Sequence, residues 1–272
     1  MVLPDPAACG VAVADAVTEA VAGAAGGPVN LGLATGSSPL PAYAELIRRH
    51  RRDGLSFRTA RAFLLDEYLG LPRGHPQSYR EVIRRELTDH LDIDPDAVHA
   101  PDGTADDPVA AAADYERLLA GAGPIDVQIL GIGRNGHVGF NEPGSEPGST
   151  TRVVTLTERT RADNARFFDR PDEVPRRVLT QGMGTIGRAA RLVLVATGPE
   201  KAPAVAAAVH GPVTSAVPAS LLRHHPRCTV VLDPAAAAGL DPARPAGPSG
   251  RVCRTGTPLR GYRGRRPPPA DP

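Results

Sequence analysis

Lysine is almost absent from this chain of 272 residues. Of its 31 basic residues thirty are arginine, and Lys201 is the single exception. A coding bias that replaces lysine by arginine, seen also in 29 prolines and 29 glycines, accounts for the scarcity. A lysine that persists in this background marks either chance or a place that needs a compact ammonium rather than a planar fork. Cysteine is scarce too. Cys9, Cys228 and Cys253 lie far apart with no CxxC pair, which excludes a cysteine zinc site and suits a reducing compartment. No Lys or Arg precedes Arg48, so the basic region that opens a secretory signal is missing. The longest apolar stretches are interrupted by Gly, Pro or charge short of a membrane span. A net charge of +1 gives no pull toward nucleic acid or an anionic membrane, and no internal repeat is visible. Together these absences predict a cytoplasmic protein with no membrane and no nucleic-acid partner.

What is present is a globular composition, 41% hydrophobic and 22% charged, which excludes wholesale disorder. Short continuous apolar runs read as buried strands at 29–34 (VNLGLA), 62–65 (AFLL), 125–132 (IDVQILGI), 192–196 (LVLVA) and 228–232 (CTVVL). Helical patterns fall at 11–25, 43–52, 77–91, 106–121 and 200–209. Apolar strands separated by helices predict an α/β fold: a single doubly wound, mostly parallel, Rossmann-like sheet with helices on both faces. Residues 240–272 differ, with seven Arg, two Asp and eight Pro. We read 1–239 as one domain and 240–272 as a disordered tail without catalytic use.

Ligands of open α/β sheets sit beyond the carboxyl ends of the strands, so the loops there carry the functional reading. After the first strand, Thr35, Gly36, Ser37 and Ser38 precede Pro39. Ser38 suits a helix N-cap, Pro39 the first helical position, and the free N–H groups favour an anion such as phosphate. Taken alone, an ordinary capped helix accounts for this stretch, and the GK[ST] ending of a P-loop is missing. After the second strand come Asp66 and Glu67, where a carboxylate serves either as a general base or as a turn cap. His75 and Tyr79 follow closely. The loop after 125–132 reads GIGRNGHVGFNEPG. It contains GxGxxG, but mid-chain and followed by Gly and Pro rather than a helix, which argues against a dinucleotide. Its polar residues fit better as a unit: His137 titrates near neutrality, and Asn135 and Glu142 orient it and support its charged form. Arg166, ahead of an aromatic pair, and Lys201, at a helix start, suit a phosphate; taken singly, each reads as a solvated charge.

With these residues assembled, the chain resembles the glucosamine-6-phosphate deaminase family. The resemblance rests on LGLATGSSP, LLDEYLGLPRGHPQSY, GIGRNGHVGFNEPG, TRVVTLTERTRADNARFF and LTQGMGTIGRAARLVLVATGPEKA, in order and spacing, from about residue 30 to 233. It implies conversion of glucosamine 6-phosphate to fructose 6-phosphate and ammonia, with no metal and no other cofactor. It further implies that His137 opens the sugar ring with Glu142 and Asn135 holding its imidazole, and that Asp66 moves a proton from C2 to C1. Thr35, Gly36, Ser37, Ser38, Arg166 and Lys201 would hold the phosphate of this small-molecule partner. Homo-oligomerisation is left open. Asn135 stands where some members have Asp. Allosteric members bind N-acetylglucosamine 6-phosphate through an Arg and a Lys two residues apart; here those positions are Arg152 and Val154, which predicts weak or absent activation. Two alternatives share the fold: a 6-phosphogluconolactonase-like hydrolase, disfavoured by the ending GFNEPG, and a non-catalytic sugar-phosphate sensor, disfavoured by the intact acid–base set.

Overall fold

The computed structural model describes residues 1–241 and 243. The chain begins with helix α1 (Pro6–Gly23), strand β1 (Val29–Leu33), helix α2 (Leu40–Asp53), strand β2 (Ala60–Leu64) and a short β3 (Asp66–Tyr68). Helix α3 (Tyr79–Glu86), β4 (Val98–His99), α4 (Pro108–Ala122) and β5 (Val127–Leu130) follow. Next come β6 (Arg152–Thr155), α5 (Glu158–Asn164), β7 (Arg177–Thr180) and α6 (Met183–Ile186). The last elements are β8 (Leu192–Ala196), α7 (Ala202–His210) and β9 (Cys228–Leu232).

Six strands form one parallel sheet in the order β4-β2-β1-β5-β8-β9. The chain winds outward from β1 in one direction and then from β5 in the other. The gap between the loops after β1 and β5 is therefore the topological switch point, where open α/β sheets bind ligands. Alternation within a strand shows both faces covered, as expected. Val193 and Val195 join Val13, Val17, Tyr43 and Leu46 of α1 and α2 in one core. Leu192, Leu194 and Ala196 join Tyr115, Ile186 and Val205 on the other. Burial on both faces is why these strands read as continuous apolar runs.

Several expectations need correction. Helix α1 does reach the length and apolarity of a membrane span, with a mean hydropathy of 1.2. It packs here as a core helix: Cys9, Val13, Ala14, Ala16 and Val17 are buried, and its acids Asp15 and Glu19 pair with Arg49 and Arg191. Helix α2 begins at Leu40, with Pro39 at the capping position and no side-chain cap. Ser38 does not cap it. The helix expected over 77–91 ends at Glu86 and gives way to a 3-10 turn, Thr88–His90.

A second sheet was not expected. Strands β3, β7 and β6 pair antiparallel in that order, with Asp66 opposite Thr180, and Thr180 opposite Arg152. Their sequences, DEY, RVLT and RVVT, are too short to show a period, and polar residues interrupt them. Of the tail expected over 240–272, only Leu240, Asp241 and Ala243 lie within the described residues, and Leu240 packs against the second core. The rest of that expectation lies outside them.

Candidate active site

A cavity of about 310 Å³ opens at the switch point. Eight of the ten expected site residues line it: Thr35, Gly36, Ser37, Ser38, Asp66, His137, Arg166 and Lys201. Asn135 and Glu142 do not; they stand behind His137. Tyr79 lines the cavity as well, whereas His75 stacks on Phe168 with ring centroids 6.2 Å apart.

Asp66 is the first residue past Leu65, where the chain leaves the parallel sheet for the small one. It is only 5% exposed. Gly139 of the long loop covers it: a Cβ there would lie 3.3 Å from Asp66 Oδ2, and its φ of +56° is one that L side chains rarely adopt. Burial pushes the Asp66 carboxyl well up from its ordinary range, and the neighbouring Glu67 charge adds to it. The two acids divide their work. Glu67 Oε1 accepts the backbone N–H groups of Tyr68 and Tyr79, both at 2.8 Å, and Oε2 accepts that of Arg80 at 2.9 Å. Glu67 is thus the turn cap that holds the start of α3, which leaves Asp66 to face the cavity.

His137 sits against Gly133, whose missing side chain makes the room. A Cβ there would fall 2.1 Å from the imidazole Cε1. The ring Nδ1 is 2.7 Å from Asn135 Oδ1, and Asn135 Nδ2 donates to Glu142 Oε2 at 2.6 Å. Glu142 Oε2 is 3.8 Å from Nδ1, so its carboxylate orients the ring through Asn135. An Asn oxygen accepting from Nδ1–H leaves Nε2 as the free basic nitrogen. We expected these partners to support the charged imidazole. Burial outweighs them: it lowers the His137 pKa, Lys201 adds to that, and Glu142 and Asp163 only oppose it. The neutral ring is the form present at neutral pH.

Glu142 reaches further. Its Oε1 accepts from the hydroxyl of Thr160, which is buried, and from Thr157 at 3.4 Å. Thr157 also accepts from the Thr160 N–H as the N-cap of α5. The His137 support therefore ends on the first turn of the helix that roofs the cavity. Nothing in TLTERT singled out these threonines for this role, although Thr followed three residues later by Thr is a capping spacing.

Around the cavity lie cations. Lys201 Nζ donates to Ile132 O at 2.8 Å, tying it to the end of β5. Burial lowers the Lys201 pKa, with Arg134 and Arg166 adding to that and Glu200 and Asp163 opposing it. Arg166 follows α5 and lies over the Phe167 ring at 4.7 Å from its centroid. The open start of α2, without a side-chain cap, faces the same space, where its dipole favours an anion. Arg134 and Asp163 also line the cavity, and sequence patterning gave no signal for either. Among the described residues no three His, Cys, Asp or Glu side chains gather as a metal site would require.

Known proteins resemble this chain across most of their length. A glucosamine-6-phosphate deaminase of Rhodococcus opacus is 57% identical over 235 residues, covering 86% of this chain and 90% of that protein. One from Beutenbergia cavernae is 52% identical over 241 residues, covering 88% and 92%. A solved monomeric glucosamine-6-phosphate deaminase superposes with a TM-score of 0.86 at 39% identity, covering 88% of this chain and 99% of that one. The 6-phosphogluconolactonase of Trypanosoma brucei superposes with a TM-score of 0.73 at 24% identity, covering 89% and 98%, and shares the fold. Residues 4–231 match the family described as glucosamine-6-phosphate isomerases/6-phosphogluconolactonase, and the chain belongs to that family.

Proposed function

We propose that this protein is a glucosamine-6-phosphate deaminase, converting glucosamine 6-phosphate and water to fructose 6-phosphate and ammonia. The observation that carries the reading is one cavity lined by a buried carboxyl of raised pKa, an oriented imidazole of lowered pKa, two cations and an uncapped helix start. The named deaminases among its relatives, more than half identical to it, support the same choice.

The chemistry follows from these groups. Neutral His137 takes the proton of the C1 hydroxyl and delivers it to the ring oxygen as the C1–O bond breaks, which yields the open aldehyde. Asp66, as carboxylate, takes the C2 proton, and the C1 oxygen gains one from the substrate's 2-ammonium group, giving a neutral enolamine. Asp66 then returns its proton to C1, leaving an iminium at C2. Water adds to C2 and the C–N bond breaks, so that ammonia leaves and the ketone remains. A raised carboxyl pKa suits this step, because burial makes the ionised form a stronger base than a solvated carboxylate. The loop Thr35–Ser38, Arg166 and Lys201 hold the 6-phosphate, and no metal or redox group takes part. A cytoplasmic location suits a soluble sugar phosphate.

Ammonia release from glucosamine 6-phosphate by the purified protein, measured beside hydrolysis of 6-phosphogluconolactone, tests the reading. Ammonia release without lactone hydrolysis is the expected result. Lactone hydrolysis alone would make it a lactonase, and thermal protection by the sugar phosphate without either product would make it a sensor.

A further inference from the structure

Among the charges lining the cavity that the mechanism above does not use is a loose pair beside Lys201. Arg134 follows β5 in the loop that carries His137, and Asp163 is on α5 in the roof. Both side chains line the cavity. Arg134 Nη1 stands 3.9 Å from Asp163 Oδ1, with 48% and 42% of the side chains exposed. That separation is too long for a hydrogen bond, and a loose, half-solvated ion pair contributes little. Both charges act on Lys201, Arg134 lowering its pKa and Asp163 raising it, which places them beside the cationic end of the cavity. An uncompensated carboxylate there would repel a phosphate dianion. A guanidinium beside it can offer phosphate a fork of two N–H bonds, stronger than the contact it would give up.

We propose that Arg134 is a third phosphate-binding cation, parked on Asp163 while the cavity is empty and transferred to the 6-phosphate of the substrate when it enters. Asp163 then sets the threshold that the phosphate must overcome. This rests on the deaminase reading for the identity of the substrate, but the anion site is testable without turnover.

Inorganic phosphate is the probe, read by thermal protection and by competitive inhibition of ammonia release. Arg134→Gln is expected to weaken phosphate binding about five- to tenfold and to raise KM in proportion, with kcat changed much less. Asp163→Asn is expected to do the opposite, tightening phosphate by about twofold, because Arg134 no longer has a competing partner. Arg170→Gln removes a solvated roof arginine that pairs with Asp172 outside the cavity, and it should change neither readout. The proposal is overturned if Arg134→Gln binds phosphate as tightly as the parent. It is also overturned if Asp163→Asn weakens binding as much as Arg134→Gln, which would make the pair a pin between loop and roof. Phosphate protection that depends on Arg134 in a protein releasing no ammonia would support the site and reject the deaminase reading.

Discussion

The two sheets of this molecule meet at Asp66 and differ in nearly every other respect. The parallel sheet has strands β1, β5 and β8 buried at every position, and its loops enter the cavity from a fixed base. The small antiparallel sheet has β6 only half-buried over Arg152–Val154 and exposed at Thr155, and it carries α5, in which Thr160 alone is buried. Loops of the parallel sheet hold His137 and Lys201, whose protonation is displaced by burial, and Asp66, displaced in the same way, lies where the two sheets join. The small sheet's excursion holds Arg166 and Asp163, half-solvated charges at the rim. The division follows from physics: displaced pKa values require exclusion of water and fixed geometry, whereas capture of a hydrated phosphate needs cations that reach into solvent.

The largest test of this division is Asp66→Asn. It should reduce ammonia release about 10²–10⁴-fold, the usual contribution of a general acid–base group. It should also stabilise the fold. An unfolded Asp ionises near pH 4, whereas the buried one stays protonated to higher pH. Its contribution to stability is therefore complete below the ordinary carboxylate range and is lost as pH rises through the displaced value. Thermal midpoints of the variant should exceed those of the parent by an amount that grows from pH 5 to pH 8. A midpoint gain independent of pH would remove burial of the charge as its cause.

Glu142→Gln sharpens the comparison from the other side, because Glu142 joins the His137 loop to α5. We expect kcat to fall roughly ten- to a hundredfold, as for loss of an outer partner that orients a reactive side chain. Since the Glu142 charge raises the His137 pKa, the imidazole titration followed by NMR should move to lower pH in the variant. Movement to higher pH would contradict the assigned relay. Lys201→Arg should act on binding, raising KM by about three- to tenfold and more than it lowers kcat; unchanged kinetics would return the single lysine to coincidence. The smallest effect is a null one. Arg152 is engaged with Asn141 Oδ1 at 2.8 Å and Ser145 Oγ at 3.1 Å, and Val154 lies in the ladder opposite Val178. N-acetylglucosamine 6-phosphate should leave the half-saturating substrate concentration unchanged, and a sharp fall on titration would refute this.

The same two regions explain what the sequence could and could not disclose. LVLVA announces a buried parallel strand because both faces of the sheet are covered there, so every residue is apolar, whereas CTVVL, on the edge, is only half-buried over its first three residues. β3, β6 and β7 are short, and what makes β3 a strand is pairing across more than a hundred residues, Asp66 with Thr180. That Asp66, His137 and Lys201 line one cavity was legible because loops after parallel strands converge and because their pattern resembles a known family. Their electrostatics were not. Local partners argue for a charged His137, but the depth of burial that reverses the sign comes from tertiary packing. Ser38 was misread as a cap for a local reason: Pro39 itself takes up the capping position in αR geometry. The Arg134–Asp163 pair joins the His137 loop to helix α5, 29 positions away, a distance at which no local pattern carries information.

The most direct test of the division is thermal protection by glucosamine 6-phosphate of the Asp66→Asn protein, run beside its ammonia assay. If the buried carboxylate performs chemistry while the rim cations grip the phosphate, the variant is protected as strongly as the parent and releases almost no ammonia. Ammonia release near the parent's rate, or loss of protection in a folded variant, would contradict it.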